Sequence, residues 1–260
     1  MKSTKTLDRW RSFADGWISP IQAIKERLRG YRQQLDSAHP AWKAKYESAL
    51  GEYARHDARR ELFVTFQTIL TNVQLTYVFI RDSLTNLDWW DRNLGTYSDS
   101  VADQNIREYG LMAKWFMLHA AVMASEETVR SIVGSAPPGV YSISGQAVSS
   151  QPFARLYKTV LSAASLSDKE QFFEFICDTR NTIHTNGFFS PKNGKSKSHD
   201  YRGNSLTFQV GRPVDWLTDS LGFQMAADLG DHMFEVVSTS PAAEIGYCPR
   251  SAGLSISQDD

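Results

Sequence analysis

Leu62, Phe66, Ile69, Val73, Tyr77 and Ile80 recur at the spacing of one face of an α-helix. Side chains with this period line a single stripe, and such a stripe is stable in water only when another apolar face covers it. The same period returns in Ile21, Ile24 and Leu28, and again in Ile106, Leu111, Trp115, Leu118, Val122 and Val129. Phe172, Ile176, Thr179 and Ile183 repeat it, as do Leu217, Leu221, Met225, Leu229 and Met233. Repetition on this scale predicts a mainly α protein, a helical bundle whose core is built from these faces.

Caps and breakers divide the pattern. Ser19 and Pro20 suit the start of a first helix, and His39-Pro40 marks the next boundary. Residues 41–87 stay helical, with a joint expected near 51–57, and Trp89-Trp90 followed by residues 93–95 reads as an aromatic-rich turn. Ser100 with Asp103 resembles a capping box opening a long helix, which Gly134 and Pro137-Pro138 stop. Residues 135–151 are a Ser/Gly/Pro-rich loop, and Pro152 opens a short helix. Ser167 with Glu170 resembles a second capping box, before a helix expected to end near His184.

Beyond Gly187 the texture changes. Residues 190–199 read as a polar, basic loop, and a small β-hairpin is expected around Gly203-Asn204, within about residues 200–210. Pro213 is expected to open the last helix, and the tail over residues 238–260, without periodicity, to be poorly ordered. The chain thus divides into an N-terminal helical region at residues 1–99 that packs on the core, a helical domain at 100–237, and a flexible tail.

Charge and cysteine usage narrow the function classes. The formal net charge is −1, whereas proteins that coat duplex nucleic acid are strongly basic, so any nucleic-acid contact must use a local patch. Cys177 and Cys248 lack metal-type spacing and suggest no disulfide framework, which points to a reducing, cytoplasmic setting. The apolar run near residues 111–124 is broken by Lys114 and His119 and is too short to span a bilayer, so no membrane association is expected. The sequence carries no Walker-type loop, no dinucleotide fingerprint, no His-Glu-x-x-His site and no nucleophile elbow, so neither a cofactor nor a metal is expected.

One segment carries chemistry: Arg180-Asn181-Thr182-Ile183-His184-Thr185-Asn186-Gly187. Arg180 and His184 are four apart, which puts them one turn apart on one helix face. A histidine near neutral pKa can move a proton at a ribose 2′-hydroxyl or a 5′-leaving oxygen, and an arginine can hold the phosphate between them. Asn181 or Asn186 is placed to orient either group. A packing role is the other reading: His184 at a helix C-terminus complements the macrodipole, and Arg180 can pair with Asp178, Glu174 or a more distant carboxylate. Lys192, Lys195, Lys197 and Arg202 form a basic cluster after the motif, suited to steering phosphate or else simply solvated. Glu126, Glu127 and Arg130 on the long helix can orient Arg180 or His184, or serve as surface charges.

In an all-helical chain, the segment from Arg180 to Gly187 resembles the signature helix of the HEPN superfamily, with the resemblance covering mainly residues 100–237. It implies a helical bundle and a metal-independent endoribonuclease, with Arg180 and His184 as the family's catalytic pair and Asn181 as its polar follower. It also implies a homodimer in which two copies line one cleft, with RNA as substrate. A role as a bacterial toxin or antiviral defence effector, held by a protein partner such as an antitoxin, comes from the resemblance alone. The family places its Arg and His farther apart than the three intervening residues here. Some members are catalytically silent modules that bind RNA, a nucleotide or a protein, which is the alternative reading.

Overall fold

The computed structural model describes residues 5–43, 57–95, 97–142, 147–185 and 187–249. Among them the chain forms a helical bundle with one two-stranded sheet. Helix α1 (Lys5–Ala38) buries Leu7, Ala14, Ile21, Ile24, Leu28 and Leu35 along a single line. It runs through Ser19-Pro20, which therefore does not open a helix. Proline removes the bond to the carbonyl four residues back, but Gly16 and Pro20 are both exposed, so water can satisfy that carbonyl. Continuous packing on the next helix along the chain outweighs the local break.

Helix α2 (Ala58–Phe79) starts at an Asp57 cap and buries Leu62, Phe66, Ile69, Val73 and Tyr77. With the π-helical turn Ile80–Leu84 it forms a stretch of mean hydropathy 1.3, long and apolar enough by composition to cross a membrane, but this stripe packs on α1 and on the long helix Asp99–Ser135. Most of the joint expected at 51–57 lies outside the described residues. The expected turn at Trp89-Trp90 is instead helix α3 (Leu87–Leu94): Asn86 caps it, and Trp90 is buried with its indole N–H donating to the Leu84 carbonyl at 2.8 Å. The turn comes at Gly95, whose φ of 68° ends α3 in the left-handed region.

Helix α4 (Asp99–Ser135) is the central element and touches α1, α2 and the three helices that follow. Its cap is Ser98, not Ser100, and Asp103 instead meets Arg9, Trp10 and Arg107. Ile106, Leu118, Val122 and Val129 are buried, but Leu111 lies exposed and Trp115 half-buried, because the outward edge of α4 is uncovered. Helix α5 (Phe153–Ala163) packs on α4 and on the helix that follows it. Helix α6 (Glu170–His184) follows a 3-10 turn, Ser167–Lys169, in which Ser167 makes no cap hydrogen bond. It buries Phe173, Ile176, Thr179 and Thr182.

Strands β1 (Lys197–Tyr201) and β2 (Asn204–Phe208) pair antiparallel. The hairpin begins earlier than its turn signal suggested, so Lys197, Ser198 and His199 belong to a strand and not to a loop. Arg202 and Gly203, at φ of 49° and 77°, make the tight turn whose twist matches that of the strands. The last helix, α7 (Asp219–Ser238), starts at a Thr218 cap and not at Pro213, which instead bridges to Phe188.

The tail is ordered as far as it is described. Ala242, Ile245 and Cys248 are buried, and Arg59 donates to the Ala242 and Ile245 carbonyls at 2.7 and 2.8 Å. The buried Asp57–Arg59 pair thus clasps the C-terminal segment, a tertiary cause that periodicity cannot reveal.

Candidate active site

Helix α6 brings the motif to a seam against α4. The chain leaves the helix through Gly187, whose N–H donates to the Thr182 carbonyl at 2.9 Å. At its φ of 87°, a Cβ on Gly187 would lie 2.6 Å from the Trp115 ring, so only glycine lets the backbone press on α4 here. This contact fixes the end of α6 and leaves His184 exposed at its last turn.

On the seam, Arg180 donates through Nη2 to Glu126 Oε2. The other oxygen, Oε1, accepts from Arg130 Nη2 at 2.6 Å and Nε at 3.1 Å, and Arg130 Nη1 reaches the Val148 carbonyl at 2.9 Å. One carboxylate therefore sits between two guanidinium groups, with the Arg180 side chain 20% exposed and that of Glu126 12%. Arg180 Nε is buried without a hydrogen-bond partner. Further along the seam, His184 meets His119 of α4 edge to face, with ring centroids 4.6 Å apart and planes at 86°. His119 Nδ1 is also buried and unpartnered. Burial, the His184 ring and the Arg180 charge together hold the His119 imidazole below the ordinary histidine range.

Beside the seam lies an open cleft of about 520 Å³, lined among others by Asp178, Asn181, His184, Phe189, Lys192 and Lys197. Asp178 accepts from His199 Nε2 at 2.9 Å and Lys197 Nζ at 3.0 Å, and Lys197 also reaches Glu174 at 3.0 Å. Burial works to raise the Asp178 pKa, but hydrogen bonds from His199 and Lys197 win and hold it below the usual carboxylate range. The triad pins the hairpin to α6 and sets one wall of the cleft.

The structure thus brings together Arg180, His184, Glu126 and Arg130 on the seam, and Asn181, Lys192 and Lys197 at the cleft. Lys195 is exposed but does not line the cleft. Arg202 is taken up by Asp228 of α7, at 3.0 and 2.7 Å. Glu127 is buried in α4, and Asn186 lies outside the described residues. Sequence reasoning passed over His119 as a break in an apolar run; that break, inside an otherwise buried stripe, was the available signal. Among the described residues no group of three or more His, Cys, Asp or Glu side chains is placed to hold a metal ion. Burial pushes the Cys177 thiol up to about 12 and that of Cys248 up to about 11, so neither is a ready nucleophile.

Along the same edge of α4, Tyr109, Met112 and Phe116 are exposed, Met112 to 68% and Phe116 to 50%. They continue the line that contains His119. Compared with known proteins, the chain matches no family model, no curated protein and no solved structure.

Proposed function

We propose that the protein is a HEPN-like, metal-independent endoribonuclease that acts as a homodimer. The observation that carries this reading is the exposed His184 imidazole at the rim of a cleft holding Asn181 and Lys192, one helical turn from Arg180. In the proposed reaction the ribose 2′-oxygen attacks phosphorus and the bond to the 5′-oxygen breaks. The products are a 2′,3′-cyclic phosphate and a 5′-hydroxyl. His184 takes the 2′-proton, the His184 of a second copy gives a proton to the leaving oxygen, and Arg180 holds the phosphate. The exposed Tyr109, Met112 and Phe116 edge supports the homodimer, because a two-fold contact there would bury an apolar surface beside both sites. A defence or toxin role, with a partner that restrains the enzyme, extends the same reading.

The test is cleavage of single-stranded and loop RNA by wild type, His184→Ala and Arg180→Ala, with and without excess chelator. Each variant is expected to lose about a hundredfold or more in rate, with its melting curve preserved and no effect of chelator. Products ending in 5′-phosphate, or a strict monomer at micromolar concentration that still cuts, would sink the two-copy mechanism.

A second reading, a silent module that binds RNA or a protein, draws on one observation: Glu126 already occupies Arg180. It expects no cleavage by wild type and weaker RNA binding in Arg180→Ala.

A further inference from the structure

His119 lies between Leu118 and Ala120 on the face of α4 that meets α6, in a stretch where Met117, Leu118, Ala121 and Val122 are all buried. Packing alone favours an apolar side chain in such a stripe. The imidazole there carries a cost instead, because its Nδ1 is buried and bonds to nothing. The ring of His184 lies against it, with centroids 4.6 Å apart and planes nearly perpendicular.

We propose that His119 is a positioning residue for His184: packed edge to face, its ring fixes the orientation of His184 and makes the two imidazoles one acid–base unit. The acid–base part rests on the endoribonuclease reading; the coupling of the rings does not.

A protonated His119 would place an N–H at the buried Nδ1, where no acceptor is available. The charged or titratable groups facing it, His184 and Arg180, both come from α6. Glu126, two turns along α4 itself, is held between Arg180 and Arg130. His119 therefore stays neutral, with Nδ1 as a bare acceptor. His184 is exposed at the C-terminal end of α6. Of the two rings, His184 is the one that reaches the cleft. A neutral ring behind a catalytic histidine orients it without raising its basicity as a carboxylate would.

Histidine NMR titrations of wild type and His184→Gln test the coupling directly. In wild type, the His119 ring resonances should register the titration of His184 and show their own protonation only at lower pH. In His184→Gln the first inflection should vanish, and the His119 midpoint should rise by about half a pH unit or more once the like charge is gone. An unchanged His119 midpoint overturns the proposal, whether or not the protein cuts RNA. The second arm is RNA cleavage. His119→Ala should lower kcat about tenfold or more with KM unchanged, because a tilted His184 misses its proton while RNA still binds. His119→Phe, which keeps an edge-on ring, should restore most of kcat. Equal loss in both variants, or a change confined to KM, overturns the positioning role. A wild type that cuts no RNA removes the endoribonuclease reading but leaves the titration to decide the coupling.

Discussion

Arg59 and Arg180 each meet a carboxylate, and they are treated in opposite ways. Arg59 is fully buried and fully used: Nε and Nη2 bind Asp57 at 2.9 and 2.7 Å, Nη1 holds two carbonyls, and the guanidinium stacks on Trp42 at 3.6 Å. Arg180 donates to Glu126 through Nη2, keeps Nε unpartnered, and stays partly exposed. A buried arginine that serves structure is satisfied on every side, since each unmet donor would cost stability. Arg180, at a surface seam beside two histidines, is not satisfied in this way.

The contrast breaks most sharply in stability. Arg59→Ala leaves Asp57 charged and buried and releases the C-terminal segment, so it should cost about 3–5 kcal/mol. Arg180→Ala loses one partly screened ion pair and should cost about 1 kcal/mol or less. Urea denaturation of both variants measures the difference. Equal losses would place Arg180 in the structural class with Arg59.

The same division governs what the sequence made legible. Helices showed wherever an apolar stripe had to be buried, and the hairpin showed through its Gly203-Asn204 signal. Local punctuation misled where tertiary packing overrode it: α1 passes through Pro20, and Trp89-Trp90 forms a helix because Trp90 has a buried slot and a carbonyl partner. Arg180 and His184 were visible because they share one helix. Their neighbours were not, since Glu126 lies 54 residues away from Arg180 and His119 comes from the same distant helix. Spacing along the chain reports contacts within an element; contacts across a seam depend on how α4 and α6 pack.

A second prediction uses pH against the hairpin clamp. The folded pKa of Asp178 is depressed, so its stabilisation is fully present above the unfolded carboxylate pKa and is lost as pH falls through the folded value. Asp178→Asn should therefore lower stability by about 1.5–3 kcal/mol at neutral pH, the range for hydrogen bonds to a charged group. It should also flatten the loss that wild type shows on acidification. An unfolding series across the acid range checks this, and parallel curves for the two proteins would count against the clamp.

Glu126→Gln sharpens the seam itself. The substitution removes the charge that holds Arg180 and Arg130 while keeping the shape. If Arg180 serves phosphate, RNA should bind severalfold tighter, an effect of about 1 kcal/mol, because a repelling carboxylate has left the neighbourhood. Fluorescence anisotropy with a short single-stranded RNA reads it. Unchanged affinity would mean that Arg180 does not face the RNA.

The smallest expected effect separates three lysines that look alike in sequence. Lys192 lines the cleft and is exposed, Lys195 is exposed but off the cleft, and Lys197 is already bound by Glu174 and Asp178. A lysine that touches a phosphate releases counterions when RNA binds, and each such contact on a single strand adds about 0.7 to the slope of log affinity against log salt. Lys192→Ala should lower that slope by about this amount and weaken binding modestly at low salt, with no change in melting. Lys195→Ala should leave the slope alone. Lys197→Ala should act through stability instead, since it removes a donor from the buried Asp178 clamp. Affinities measured at several salt concentrations, beside one melting curve for each variant, distinguish the three. A slope that falls equally for Lys192 and Lys195 would show that RNA follows the whole loop and not the cleft beside His184.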